Sequence, residues 1–155
     1  MGCKCGSRAQ SDACCEIYLR GNALPPTALT LMKSRYTAFT KCNERYLLDT
    51  WHPSTRPAKL DFRGDKTEWT KLEILDVVGG TTESQHGVVE FKAFYRLGAR
   101  SECLHERSSF IREEGRWLRL PQGTRPQTGP QAPPRRWPRP SFRHAKSCYH
   151  TYHTV

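Results

Sequence analysis

Four cysteines stand within the first fifteen residues, spaced as Cys3-Lys-Cys5, eight residues, then Cys14-Cys15. A segment this short cannot bury an apolar core, so chemistry between side chains has to order it. Four thiolates close together are the ligand set of a closed, structural zinc site, tetrahedral with Zn–S bonds of about 2.3 Å. The alternatives are free thiols, or disulfides in an oxidising compartment. Residues 1–5 hold no apolar run of signal-peptide type, so a bacterial-type cytoplasm with reduced cysteines is the expected setting. Lipid anchoring fares worse, because the myristoylation pattern needs Ser or Thr at position 6 and Gly6 stands there.

The chain of 155 residues carries a net charge of +10, which points at first to nucleic acid. Residues 121–155 hold six Lys/Arg and no Asp/Glu, while the first 120 residues hold 19 basic and 15 acidic side chains. The excess therefore lies largely in one segment. That segment also holds seven of the eleven prolines and no apolar period, so a disordered basic tail is expected. Arg135-Arg136-Trp137 could touch RNA without sequence preference, and His144, Cys148, His150 and His153 could chelate metal by chance; a solvated tail is the simpler reading. Mean hydropathy is −0.74, and no run approaches the roughly 18 apolar residues of a membrane span.

Between these ends the periodicity changes once. Residues 17–26 read as a linker ending at Pro25-Pro26. Thr27 stands at an N-cap position, and Leu29, Met32, Tyr36 and Phe39 recur at helical spacing behind it. Residues 44–51 predict a second, short helix stopped at His52-Pro53, and 53–66 a polar loop. Period two then takes over, predicting strands at 69–78, 88–96, 103–112 and 116–120, with turns at Gly79-Gly80, Gly98 and Glu114-Gly115. Helices followed by closely spaced strands give an α+β fold, a helix pair on one face of a curved antiparallel meander. The domains read as a zinc knuckle at 1–16, a linker at 17–26, an α+β domain at 27–120 and the tail at 121–155. Cys42 and Cys103 read as half-buried packing residues.

Several blocks resemble known sequences. Cys3-x-Cys5-Gly6-Ser7 with Cys14-Cys15 is similar to the SEC-C motif, a zinc module also found at the C-terminus of the SecA translocase. Leu31-Met32-Lys33-Ser34-Arg35-Tyr36-Thr37-Ala38-Phe39, Tyr46-Leu47-Leu48-Asp49-Thr50-Trp51-His52-Pro53-Ser54-Thr55-Arg56-Pro57, Leu104-His105-Glu106-Arg107-Ser108-Ser109-Phe110 and Gly115-Arg116-Trp117 resemble the YchJ family. That family joins a SEC-C motif to a nuclear-transport-factor-2-like (NTF2-like) domain. Two features depart from the pattern: Arg8-Ala9 follows Cys5-Gly6-Ser7 where Gly-Lys is usual, and the chain runs into the Arg/Pro tail, which also reads as a frame-shifted end.

The resemblance implies structural Zn²⁺ on Cys3, Cys5, Cys14 and Cys15, and a protein partner for the knuckle, a chaperone or the ribosome by similarity to the SecA module. It also implies a cone-shaped domain with a pocket. Arg35, Tyr36, Trp51, His52, His105, Arg107 and Trp117 are the residues expected to line it. The favoured function is a cytoplasmic zinc-binding adaptor without enzymatic activity. The alternative is a small-ligand binder or enzyme with His52 and His105 as acid and base beside Arg35 or Arg107, as in isomerase and dehydratase relatives of the fold. Glu106, the acid next to His105, alternates to the opposite strand face. Nucleic-acid binding ranks last, no membrane association is expected, and a homodimer stays open.

Overall fold

The computed structural model describes residues 2–120, so the tail and every expectation attached to it lie outside the described residues. The elements run in the expected order. A 3-10 turn at Ser11–Ala13 leads to helices α1 (Glu16–Leu19), α2 (Ala28–Thr40) and α3 (Glu44–Asp49), then strands β1 (Glu68–Gly79), β2 (His86–Leu97), β3 (Arg100–Glu113) and β4 (Arg116–Leu120). The strands form one antiparallel meander in the order β1-β2-β3-β4.

The alternation of β2 decides which face is inside. Val89, Phe91, Ala93 and Tyr95 are buried toward the helices, and Glu90 and Lys92 point away. Register shifts between Trp69 and Lys71 and between Ile74 and Asp76 put two irregularities into β1, which bend a strand and increase its twist. The β3–β4 turn is Glu114-Gly115, with φ of 49° and 78°. Two successive positive φ values belong to the hairpin turn that matches strand twist.

Helix α2 lies across the concave face. The Thr27 side chain accepts from the Thr30 N–H, closing its first turn. Its N-terminus sits directly on the β1–β2 hairpin: the Ala28 N–H donates to the Gly80 carbonyl at 2.9 Å. A Cβ on Gly80, whose φ is +68°, would stand 2.6 Å from the Ala28 Cβ, so only glycine allows this approach. Leu31, Leu47, Val89 and Phe110 form the fully buried centre.

The buried surface of α2 is wider than the expected stripe. Leu31, Met32, Ser34, Arg35, Tyr36, Thr37 and Ala38 are buried, while Leu29 and Phe39 are only partly so. The helix is covered by the sheet, by α3 and by the cysteine segment, so polar residues lie inside as well. Ser34 Oγ donates to the Leu31 carbonyl at 2.9 Å and shares a 2.7 Å hydrogen bond with the Tyr46 hydroxyl. Two other expectations are corrected. The linker contains α1, whose Tyr18 and Leu19 pack on the main core, and the polar loop sends Leu60 and Phe62 against it. Cys42 is exposed rather than half-buried, because it occupies the tight α2–α3 junction with φ of 51°.

Candidate metal centre

The cysteine segment closes on itself through its backbone. Cys3 N–H donates to Ala9 carbonyl at 3.0 Å, Gly2 and Gln10 form an antiparallel bridge, and Gly6 N–H donates to Cys3 carbonyl at 3.2 Å. This small loop holds Cys3 and Cys5. The 3-10 turn then presents Cys14, and Cys15 follows as the N-cap residue of α1. The four sulfurs all lie within 4.8 Å of one another. Cys5 and Cys14 are 3.6 Å apart and Cys14 and Cys15 3.9 Å. A tetrahedron with Zn–S bonds of about 2.3 Å has edges of about 3.8 Å. A disulfide needs about 2.05 Å. The donor set therefore fits a thiophilic dication and is not a pair of cross-links.

The surroundings favour this use. Cys3, Cys5 and Cys15 are buried, and Ser7 Oγ hydrogen-bonds Cys14 Sγ at 3.1 Å. Thr37 Oγ1 lies 3.9 Å from Cys3 Sγ, so α2 of the larger domain touches the cluster directly. Lys41 pairs with Glu16, tying the end of α2 to the residue after Cys15. Without a cation the sulfurs hold charge unevenly. The hydrogen bond from Cys15 brings the Cys5 thiol down to about 4, and the same bond followed by burial pushes Cys15 far above the ordinary thiol range. Burial also raises Cys14. One thiolate is accommodated and the next are opposed, a situation that a bound dication reverses.

The seven side chains expected to line a pocket do not share one. Arg35 and Trp51 are inside. The Arg35 Nη1 donates to the Leu47 carbonyl at 2.8 Å and to Thr50 Oγ1 at 2.6 Å, and its guanidinium lies 5.5 Å from the Trp51 ring centre. Burial, helped by the nearby Arg119, lowers Arg35 to about 9, so it remains a cation at neutral pH. Tyr36 packs edge-on against Trp69, and the Trp117 indole N–H donates to the Pro26 carbonyl at 3.2 Å. His52 sits at the edge of the sheet, with Nδ1 2.6 Å from Ser54 Oγ and Nε2 3.3 Å from Glu113.

His105 and Arg107 lie on the outer face of β3 and correct the pocket outright. His105 Nε2 is 2.7 Å from Glu90, and Arg107 donates to Glu90 at 2.8 Å and Asp76 at 3.1 Å. Glu90 is held below the usual carboxylate range, first by the His105 hydrogen bond and then by Arg107. Sequence reasoning gave no role to Arg119, whose guanidinium lies 4.8 Å from the Trp51 ring centre while it pairs with Glu106 at 2.8 Å. Alternation along β3 does place Glu106 inward, but its partner comes from β4, which no local spacing reveals.

The family model described as "YchJ, middle NTF2-like domain" matches residues 27–120. A UPF0225 protein of Streptomyces coelicolor is 47% identical over 116 residues, covering 75% of this chain and 90% of its own length. Another UPF0225 protein, from Chromobacterium violaceum, is 46% identical over 118 residues, with coverages of 74% and 87%. A SEC-C motif containing protein from Rhodopseudomonas palustris, solved in solution, superposes with a TM-score of 0.68 at 30% identity, over 77% of this chain and 94% of that one. A sec-c motif containing protein from Psychrobacter arcticus shares the fold, with a TM-score of 0.66 at 23% identity over 83% and 85% of the two chains.

Proposed function

Because the chain belongs to the YchJ family, with an NTF2-like α+β domain behind a cysteine cluster, we propose that it acts as a zinc-binding adaptor. The cysteine segment holds one Zn²⁺ and offers a rigid surface to a protein partner. The observation that carries this reading is the convergence of Cys3, Cys5, Cys14 and Cys15 at tetrahedral sulfur spacing. All four donors are sulfur, so the ion would keep no open position for water and would serve to fold the segment. Likeness to the SecA module makes a chaperone or the ribosome the first partner to test, in the cytoplasm. Among the described residues no helix is long and apolar enough to cross a membrane. The enzymatic alternative loses support because His52 and His105 lie apart, each beside its own glutamate.

The test is elemental analysis of full-length protein purified without chelators, alongside Cys14→Ser. One zinc per chain is expected in the first and none in the variant. The zinc-loaded form alone should then co-sediment with ribosomes or bind the chaperone. A wild-type chain free of metal would end the adaptor reading at its root.

A further inference from the structure

A groove of about 200 Å³ lies between residues 18–25, helix α3 and the start of β4. One wall is α1 and the turn after it, including Tyr18 and Leu24; a second is α3, with Tyr46; the third is the start of β4, with Trp117. The volume falls below the roughly 300–1,000 Å³ of small-molecule sites and suits a single apolar side chain. Leu24, exposed on the rim at 55%, extends this apolar surface outward.

The charged residues around the groove are unbalanced. Three arginines, Arg20, Arg45 and Arg116, line it with one acid, Asp49. Arg20 is occupied by Asp12 and Glu16. Arg45 reaches Asp49 at 3.7 Å with its own side chain 92% exposed, a loose pair that contributes little. Arg116 makes no ion pair within 4 Å among the described residues, although Glu113 stands opposite it across the β3–β4 hairpin and Glu114 lies in the turn beside it. Two guanidiniums are thus available to carboxylates beside an apolar slot, and a guanidinium matches a carboxylate with two parallel hydrogen bonds. Tyr46 and Trp117 line the slot but are only 8% and 3% exposed, too little ring area for nucleic-acid bases to stack on.

We infer that this groove binds an acidic peptide segment of a partner protein, with one apolar side chain in the slot and flanking carboxylates on Arg45 and Arg116. The inference rests on the adaptor reading and gives its partner a chemistry. Because α1 begins at the residue after Cys15, the cysteine cluster adjoins one wall of the site.

The test uses zinc-loaded full-length protein and a fluorescent peptide of Asp and Glu residues around a single leucine, titrated at low salt. Binding in the micromolar-to-millimolar range is expected, with shifts in the NMR signals of Tyr18, Leu24 and Trp117. Arg45→Glu with Arg116→Glu should weaken it at least about tenfold, a loss of about 1.4 kcal/mol. Arg100→Glu, an exposed reversal at the far end of β3, should leave it within about twofold. The proposal is overturned if the double reversal changes nothing, if no shifts occur near about 1 mM peptide, or if oligouridine of equal length binds more tightly. Zinc is measured in the same samples. One zinc without peptide binding removes the groove and leaves the adaptor; peptide binding by a metal-free chain supports the groove and removes the zinc reading.

Discussion

The cysteine segment and the sheet domain solve the same problem by different means. In residues 2–15 the hydrophobic cluster consists of cysteines alone, and its order comes from four sulfurs within 4.8 Å. In residues 28–120 the order comes from apolar side chains gathered from six elements, such as Leu31, Leu47, Leu72, Phe91, Phe110 and Trp117. The first is local, a matter of sulfurs that are near neighbours in sequence and are placed to hold a metal ion; the second is collective and long-range. The two meet at points such as Thr37 beside Cys3, Gly6 near the Leu72 carbonyl, Lys41 on Glu16, and Tyr18 and Leu19 against the core. Coupling between the regions should accordingly be modest.

Metal removal is the sharpest way to break this comparison. A chelator should unfold the segment completely, since binding and folding of such modules are one event worth about 10–16 kcal/mol. The domain should lose only about 2 kcal/mol, for the packing of Tyr18 and Leu19. Amide exchange read residue by residue separates the two effects, and full unfolding of the sheet would contradict the division. Phe110→Ala is the converse experiment. Truncating this fully buried ring should cost the domain about 3–5 kcal/mol in urea denaturation, while zinc content stays at one per chain.

Glu106→Gln sharpens the account of the interior. The carboxylate is paired with Arg119 and accepts from the Ser108 hydroxyl, and Arg35 has no acid in ion-pair range among the described residues. Neutralising Glu106 leaves two cations near Trp51 without a counter-charge, at a cost of about 3 kcal/mol. Glu90→Gln should have the smallest effect, because that carboxylate stands in solvent on the outer face. Its pKa in the folded protein is depressed, so its contribution is present above the ordinary Glu range near about 4.3 and is lost as pH falls through the lower folded value. The variant should lower the melting temperature slightly at neutral pH, match the wild type in strong acid, and so flatten the acid limb of the profile.

What was legible in the sequence follows the same divide. The sulfur cluster was readable because its four ligands are neighbours in sequence. The strands were readable because Val89, Phe91, Ala93 and Tyr95 alternate strictly with exposed residues along β2. The α2 stripe was readable only in part. Met32 and Tyr36 are buried as their spacing requires, but Ser34, Arg35 and Thr37 are buried because other elements cover them. The pocket failed for a related reason. Period two groups His105 with Arg107 on one face of β3, yet nothing local says that Glu90 and Asp76 wait there from β2 and β1. Arg119 beside Trp51 is a tertiary fact of the same kind.

One feature of the sheet bears on how copies of this protein meet. The strand-like stretch at 50–52 runs beside β4, with Arg119 N–H donating to the Thr50 carbonyl and His52 N–H to the Arg119 carbonyl, each at 2.9 Å, so β4 is covered there by the chain itself, while β3 from Arg100 to Ser108 has strand partners only on its β2 side among the described residues. The opposite edge, β1, has backbone partners only on its β2 side among the described residues, and carries exposed Leu75, Val77 and Val78. Among the described residues the sheet is thus a tile closed along one short stretch and open along β1 and the first part of β3. Open strand edges are what native proteins guard against edge-to-edge pairing, and the exposed Leu75, Val77 and Val78 place that demand on β1.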